Sequence, residues 1–260
     1  MENTVVSACI VTFNDNYKVI STIESILRYT KGITLNLYVV DNNSTDNTIE
    51  LIKKNFPDII IVKSKVNNGF GYGHNTVIPF LNSKYHAIIN PDIIINNDVL
   101  TNLSEYLNKN EDIGMVAPRV ILPDGSIQIT GMRYPTWKAV ISRNLPFKIF
   151  TSSLREYEMA DVDLSKPTKV ECASGCFLFI RTCLFKELKG FDENFFLYFE
   201  DADLTRRVNE ISSTIYYPYE TIYHMWDRAS SKSYKYKLII IQSFLKYRKK
   251  WKNKREVDVI

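Results

Sequence analysis

Three carboxylates directly follow a run of aromatic and apolar residues in the segment FFLYFEDADLTRRV, residues 195–208. Glu200, Asp201 and Asp203 lie within four consecutive positions of that segment. Repulsion between like charges and apolar surroundings both oppose ionisation, so both raise the pKa of a carboxyl group. Two interpretations are open at this point. Either the acids cap a helix, or one of them is a general base held in a cleft.

Small polar and acidic side chains follow three apolar, strand-like segments. They stand at residues 12–14, 41–43 and 90–92. Parallel α/β sheets bind ligands outside the carboxyl ends of their strands, so these positions are candidates for a binding site. Helix capping accounts for the polar residues after position 43, whereas the carboxylate of Asp41 also suits a ribose hydroxyl or a base N–H.

A metal site is one interpretation of the segment INPD, in which Asp92 is the one acid and Pro91 stiffens the turn. Mg²⁺ takes one or two protein carboxylates and completes its shell with phosphate oxygens and water, so a single acid suits it. The same three residues also form a common turn. His224, at the end of an apolar stretch, is either a structural residue or a metal ligand.

A glycine-rich segment, NNGFGYGHN at residues 67–75, permits close approach of the backbone to a ligand. Its glycine spacing is GxGxG, and it does not follow the first strand. The sequence therefore argues against a nicotinamide-dependent redox enzyme, which needs GxGxxG after the first strand, and it contains no GxxxxGK[ST] phosphate loop.

Apolar runs and helical periodicity alternate along the chain. We expect strands at residues 5–13, 35–41, 59–62, 85–90, 113–122 and 170–181. We expect helices at residues 14–32, 44–56, 73–83, 96–110 and 182–191, with irregular structure at 131–168. This order predicts an α/β fold with a mostly parallel sheet flanked by helices.

The chain is interpreted as one domain, residues 1–230, followed by an appendage at 231–260. The two halves of this domain are taken as about residues 1–120 and about residues 121–230. Between Lys232 and Arg255 there are ten lysines and arginines and no acid, although the whole chain is only +4. The body is therefore acidic, and no nucleic-acid partner is expected.

The appendage is predicted to be a basic amphipathic helix. Leu238, Ile241 and Leu245 recur at helical spacing, with Ile240 and Phe244 less regularly placed. Such a helix either lies on an anionic membrane surface through residues 232–255 or packs on the body. No apolar run reaches the roughly 18 residues that span a bilayer, and the N-terminus lacks a basic signal region. We expect a cytoplasmic protein, with the inner face of the plasma membrane as a candidate location.

The order of these motifs resembles the inverting glycosyltransferases of family 2, which have the Rossmann-like GT-A fold, and among them a branch of bacterial rhamnosyltransferases. The likeness runs from about residue 5 to 228. It is carried by VTFN, VVDNNSTDNT, NNGFGYGHN, INPD, SGCFLFIR, GFDENFFLYFEDADLTRRV and the later histidine.

The resemblance implies a nucleoside-diphosphate sugar as donor. Base and ribose would contact Thr12, Asn14 and Asp41, and the nucleotide and diphosphate would contact Asn68, Gly69 and Asn75. Asp92 matches the last acid of the family's DxD motif and would hold Mg²⁺ or Mn²⁺, with His224 completing the metal shell. Asn90 stands where the motif has its first acid, beside the donor site.

Asp201 matches the general base of the family. The chain is therefore expected to be a metal-dependent inverting glycosyltransferase of the hexosyltransferase type, which moves a sugar to a glycan or lipid-linked acceptor in surface polysaccharide synthesis. Rhamnose is a candidate donor sugar on branch likeness alone. The alternative is a catalytically inactive nucleotide-sugar-binding protein with a regulatory or scaffold role.

Overall fold

The structure, a computed structural model, describes residues 5–144, 149–226 and 234–252. The strands of these ranges are β1 Val5–Thr12, β2 Thr34–Asp41, β3 Ile60–Lys63, β4 Tyr85–Ile89, β5 Ile93–Ile94, β6 Ile113–Ile121, β7 Ile127–Gln128, β8 Gly131–Met132, β9 Thr168–Lys169, β10 Cys172–Ala173, β11 Phe177–Arg181 and β12 Ser213–His224.

The helices are α1 Asn16–Tyr29, α2 Thr48–Asn55, α3 Phe70–Asn75, α4 Val99–Lys109, α5 Trp137–Asn144, α6 Thr151–Tyr157, α7 Thr182–Glu187, α8 Glu200–Asn209 and α9 Tyr234–Trp251, with a 3₁₀ turn at Ile78–Phe80. Among the residues that the structure describes, no helix is both long enough and apolar enough to cross a bilayer.

The main sheet has the strand order β3-β2-β1-β4-β11-β6-β12-β5. β1 runs parallel to β2 and β4, and β12 runs parallel to β6. β11 is antiparallel to both of its neighbours, β4 and β6. The predicted α/β architecture is confirmed, and β11 lies between the parallel strands β3, β2, β1 and β4 on one side and the parallel pair β6 and β12 on the other.

The reversed direction of β11 places a turn at the candidate site. Phe177, the first residue of β11, pairs with Ile89, the last residue of β4. The residues just before Phe177 therefore lie at the carboxyl end of β4, beside the 90–92 segment.

Side-chain alternation along the strands builds two cores, one on each face of the sheet. On β1, Val6, Ala8 and Ile10 face the core shared with α1, α2 and α4. Cys9 and Val11 face the opposite core, to which α7 and α8 contribute. A central sheet covered on both faces leaves its strand ends as the accessible edge for a ligand.

Two predicted segments differ from the structure. The helix expected at 73–83 instead starts at Phe70 and ends at Asn75, because the glycines at 71 and 73 pack closely against Phe191 and Val11. The segment 131–168, expected to be irregular, contains α5 and α6. Both helices pack into a third apolar cluster that includes Ala139 and Tyr157, so tertiary burial stabilises them despite weak local signals.

Helix α9 packs on the body through one of its faces. Phe244, Tyr247 and Trp251 are buried, and the Phe244 ring lies 5.4 Å from that of Phe199. The predicted domain boundary at residue 230 falls in 227–233, which lies outside the described residues, as does the end of the predicted appendage at 253–260.

Candidate active site

The ends of β1 and β2 lie side by side. Thr12 pairs with Asp41 in the parallel ladder, and both residues are buried. The Asp41 carboxylate accepts a hydrogen bond from the Ser44 N–H at 2.8 Å, and the Asn14 side chain accepts one from the Thr45 N–H at 2.8 Å. The loops after β1 and β2 are therefore joined by hydrogen bonds into one surface, which we call the wall, with Thr12, Asn14 and Asp41 at the strand ends.

The glycine loop is attached to these strand ends through Asn42, which lies in the candidate segment 41–43 but was given no role of its own. Its side-chain amide donates to the Gly69 carbonyl at 2.9 Å. Gly69 has φ +100°, and a Cβ there would lie 2.0 Å from the Phe196 carbonyl oxygen, so only glycine fits. The Phe70 N–H donates to that same oxygen at 3.0 Å. Asn68, just before this turn, is exposed.

Asn75 has a structural role in this arrangement. Its amide nitrogen donates to the Phe191 carbonyl and to a Glu193 carboxylate oxygen, each at 2.9 Å. Its amide oxygen accepts from the Phe191 N–H at 2.8 Å. Asn75 therefore holds α3 against the 191–193 turn, and its contact with a nucleotide stays a prediction.

The 90–92 turn is fixed by backbone contacts on both sides. The Asn90 N–H donates to the Cys176 carbonyl at 2.9 Å, and the Met225 N–H donates to the Asp92 carbonyl at 2.8 Å. These bonds hold the turn between the start of β11 and the end of β12. The side chain of Asn90 makes no hydrogen bond to any residue that the structure describes.

Asp92 and His224 meet across this turn. His224 Nε2 lies 3.1 Å from Asp92 Oδ1, and both side chains are largely buried. His224 Nδ1 lies 2.7 Å from Gln128 Oε1, an acceptor to which a protonated Nδ1 donates. Neither His224 Nε2 nor Asp92 Oδ1 has another hydrogen-bond partner in the described chain.

Asp92 Oδ1 and His224 Nε2 together suit a divalent cation. Carboxylate oxygen and neutral imidazole nitrogen are both ligands for Mn²⁺, and Mg²⁺ also takes the oxygen. Adjacent ligands of an octahedral ion at about 2.1 Å are roughly 3 Å apart, which matches the observed separation. The described residues contain no group of three or more His, Cys, Asp and Glu side chains suited to a metal. Asp92 and His224 thus fit an ion whose other ligands are phosphate oxygens and water.

Asp201 lies in the first turn of α8, just after Phe199, which has the left-handed φ of 67°. Its Oδ2 accepts from the Gly175 N–H at 2.9 Å and its Oδ1 from the Ala202 N–H at 2.8 Å. Burial raises the pKa of Asp201 above its usual value, and the two backbone donors partly offset that rise. The result is a carboxylate of fixed orientation with increased basicity.

The other two acids of the cluster have different roles. Burial raises the pKa of Glu200 well above its usual value, and the neighbouring Asp201 adds to the shift. The raised pKa of Asp201 comes from burial, and repulsion by Glu200 does not contribute to it, although the sequence suggested that it would. Asp203 does not cap α8. Its carboxylate is buried, accepts hydrogen bonds from Arg207 of α8 and Trp251 of α9, and forms an ion pair with Lys250.

Two consecutive residues connect Asp201 to the 90–92 turn. Gly175 donates to Asp201, and Cys176 accepts from Asn90. The antiparallel entry of β11 thus brings α8, from late in the chain, to the edge formed by β1, β2 and β4. A candidate base, two candidate metal ligands and a row of polar side chains at one sheet edge suit transfer from a phosphorylated donor to a hydroxyl.

The fold is the GT-A fold, in which glycosyltransferases of known structure are built. The structure is similar to a mannosyltransferase of Pyrobaculum calidifontis in complex with GDP-mannose and Mn²⁺, with a TM-score of 0.63, 17% identity and coverage of 89% of this chain and 59% of that one. It is also similar to GalNAc-T7 with UDP, GalNAc and Mn²⁺, with a TM-score of 0.65, 15% identity and coverage of 86% and 44%.

The chain belongs to glycosyl transferase family 2, whose family model matches residues 7–188. It is 24% identical over 207 residues to the N-acetylglucosaminyl-diphospho-decaprenol L-rhamnosyltransferase of Mycobacterium tuberculosis, covering 73% of this chain and 66% of that protein. It is 24% identical over 161 residues to the rhamnosyltransferase WbbL of Escherichia coli K12, covering 57% of each chain. The chain thus spans two thirds or less of these relatives.

Proposed function

We propose that the protein is an inverting glycosyltransferase that uses a nucleoside-diphosphate sugar and a divalent cation. The observation that carries this proposal is that Gly175 hydrogen-bonds Asp201 while the next residue, Cys176, hydrogen-bonds the turn that holds Asp92, which lies beside His224. The family membership and the nucleotide-sugar complexes of the structural relatives support it.

In the proposed reaction, an acceptor hydroxyl oxygen forms a bond to the anomeric carbon. The bond between that carbon and the diphosphate oxygen breaks, and the nucleoside diphosphate leaves with the electron pair. Asp201 removes the hydroxyl proton, for which its raised pKa and fixed orientation are suited. Asp92 and His224 would hold the cation, which, when bound, would neutralise charge on the diphosphate.

The donor and acceptor are proposed from the relatives. The names of two of them specify rhamnosyl transfer, and one of those names contains a diphosphate-linked lipid. We therefore propose a rhamnosyl donor and a glycan or lipid-linked acceptor, with Thr12, Asn14 and Asp41 on the base and ribose and with Asn68, Gly69 and Asn90 near the diphosphate.

The test is release of nucleoside diphosphate from a panel of UDP-, dTDP- and GDP-sugars, with and without lipid-linked glycan acceptors. Expected results are turnover of one donor class, a product whose anomeric configuration by NMR is opposite to that of the donor, and loss of turnover in Asp201→Asn. Asp58→Asn, which changes an exposed acid on the body, is the matched control. Binding of a donor without turnover under all conditions would support the inactive binding protein instead.

A further inference from the structure

Helix α9 has two apolar faces. One packs on the body and consists of Ser243, Phe244, Tyr247 and Trp251. The other is exposed and consists of Tyr234, Leu238, Ile241 and Leu245. We call the second set the outer stripe. Its spacing of four, three and four residues keeps it on one side of the helix, and at about 100° per residue that side lies roughly opposite the buried face.

Exposure of the outer stripe is substantial. Ile241 is 55% exposed and Leu245 is 61% exposed in the described part of the chain. Single exposed apolar residues are ordinary, but an aligned row along one helix face marks an interaction surface. The sequence analysis placed Leu238, Ile241 and Leu245 on the face that either enters a membrane or packs on the body. The structure packs the other face and leaves these three outside.

Cations border the outer stripe on both sides. They are Lys235, Lys237, Arg248, Lys249 and Lys252, all exposed, and none of them forms an ion pair with a described residue. By contrast, Lys246 donates to the Asn194 carbonyl and Lys250 pairs with Asp192 on the body. With no acid between Lys232 and Arg255, the outer side of α9 is strongly cationic.

We propose that α9 is an interfacial helix that binds an anionic lipid bilayer. The outer stripe enters the boundary between headgroups and acyl chains, and the bordering lysines and arginines contact anionic headgroups. A second copy of this chain is a poorer occupant, because it would bring two cationic helices together. A nucleic acid would use the cations but would leave the apolar row in water.

The same helix contacts the loop that leads to Asp201. Ser243 Oγ donates to the Leu197 carbonyl at 2.8 Å, and Phe244 packs on Phe199. Binding through the outer stripe would thus hold this loop about one helix diameter, roughly 10 Å, from the lipid surface. The acidic body, repelled by the same lipids, would remain in solution above it.

The test is co-sedimentation of the full chain with vesicles. The probes are vesicles of phosphatidylglycerol and phosphatidylcholine mixed in equal parts, and vesicles of phosphatidylcholine alone. We expect binding to the mixed vesicles, much weaker binding to the neutral ones, and release by 1 M NaCl, at which the Debye length is about 3 Å. This measurement needs neither donor nor acceptor, so its outcome is independent of the proposed reaction.

Paired variants test the apolar row. Ile241→Ser with Leu245→Ser should lower vesicle affinity by at least tenfold, since each change removes a side chain that would be buried in lipid. Phe80→Ser with Ile211→Ser is the matched control, because these residues are 58% and 56% exposed elsewhere on the body. The control should bind vesicles as the parent does.

A second pair of variants tests the charge. The triple change Lys235→Gln, Lys237→Gln and Lys249→Gln should weaken binding to anionic vesicles on the order of 100-fold. The matched control replaces Lys53, Lys54 and Lys109 with glutamine and should weaken it little. Equal binding of the parent to both vesicle types, or no binding to either, would overturn the proposal. A stripe variant that binds vesicles as the parent does would also overturn it. If the stripe variant had a lower oligomeric mass in light scattering than the parent, the stripe would be assigned to contact with a second copy of the chain.

Discussion

The backbone N–H of Gly175 donates a 2.9 Å hydrogen bond to Oδ2 of Asp201, and a Cβ built at position 175 would lie 3.1 Å from the Asp201 Cβ. Gly175 is thus both a donor that fixes the orientation of the candidate base and a position whose small size sets how closely the base approaches β11. In the proposed reaction Asp201 must reach the acceptor hydroxyl, so this contact governs the alignment of proton transfer.

Gly175→Ala should therefore reduce kcat for transfer by roughly tenfold, because the added methyl group displaces the Asp201 side chain. The KM for the nucleotide sugar should change little, since position 175 faces the base and not the strand ends that form the donor wall. Steady-state kinetics with separate variation of donor and acceptor measures both. A variant with parental kcat would show that the alignment of Asp201 does not limit the reaction.

The pH dependence of transfer should report the raised pKa of Asp201. Only the carboxylate form removes a proton, so kcat/KM should fall as the pH decreases through the pKa of this group. Because burial raises that pKa, the fall should begin above the pH expected for an ordinary aspartate with a pKa of 3.8. Rates from pH 4 to 9 in buffers of constant ionic strength provide the profile. A rate that stays constant down to pH 4 contradicts this role.

Loss of either metal ligand should weaken Mn²⁺ binding in the presence of nucleoside diphosphate. We expect Asp92→Ala to lower the affinity by more than tenfold and His224→Ala by a smaller factor, because the carboxylate supplies charge as well as a ligand atom. Titration followed by the EPR signal of free Mn²⁺ measures this without turnover. His86→Ala, which removes a buried histidine of the core, is a control that should leave Mn²⁺ affinity unchanged. Parental affinity in both ligand variants would place the metal elsewhere.

Glu200 should make the fold less stable as the pH rises. Its pKa in the folded protein is raised well above 4.5, so the folded state keeps a proton that the unfolded state releases above about that pH. Glu200→Gln removes this penalty and should raise the free energy of unfolding at pH 8. The gain should shrink as the pH falls toward 4.5. Urea denaturation of parent and variant across this range tests it, and a gain independent of pH would show that Glu200 is ionised in the fold.

Asp203 should contribute strongly to stability by docking α9. Its buried carboxylate contacts Arg207, Lys250 and Trp251, so Asp203→Ala should lower the free energy of unfolding by about 3 kcal/mol. Glu24→Ala is the control, since Glu24 pairs with Arg28 at the same i,i+4 spacing but on the surface, where such a pair contributes under about 1 kcal/mol. Similar losses in the two variants, measured by urea denaturation, would contradict the assignment.

The strand ends could be predicted because side-chain periodicity and chain order determine them. Thr12 and Asp41 end neighbouring parallel strands, and the register places them side by side as the sequence suggested. Asp92 could be noticed because it is the one acid at the end of its strand, but Asp201 was separated from Glu200 and Asp203 only by the resemblance to family 2 glycosyltransferases.

The residues that the sequence analysis missed depend on long-range register. Gln128 lies on β7 and contacts His224 across 96 positions, a distance in sequence that a local hairpin signal does not specify. Gly175 contacts Asp201 only because β11 enters the sheet antiparallel, and strand direction is not encoded in an apolar run. The contact of Asp203 with α9 could not be predicted either. A carboxylate near the start of a helix predicts a helix cap, and only the structure shows that Trp251 of α9 donates to it.

The Phe196 carbonyl, which accepts from the Phe70 N–H and closes over Gly69, joins the two substrate sides of the active site. In the proposed reaction, the glycine loop borders the donor and the 195–199 segment leads to Asp201. Because these two segments share a backbone hydrogen bond, any displacement of the glycine loop by a bound donor would also act on the segment that leads to the candidate base.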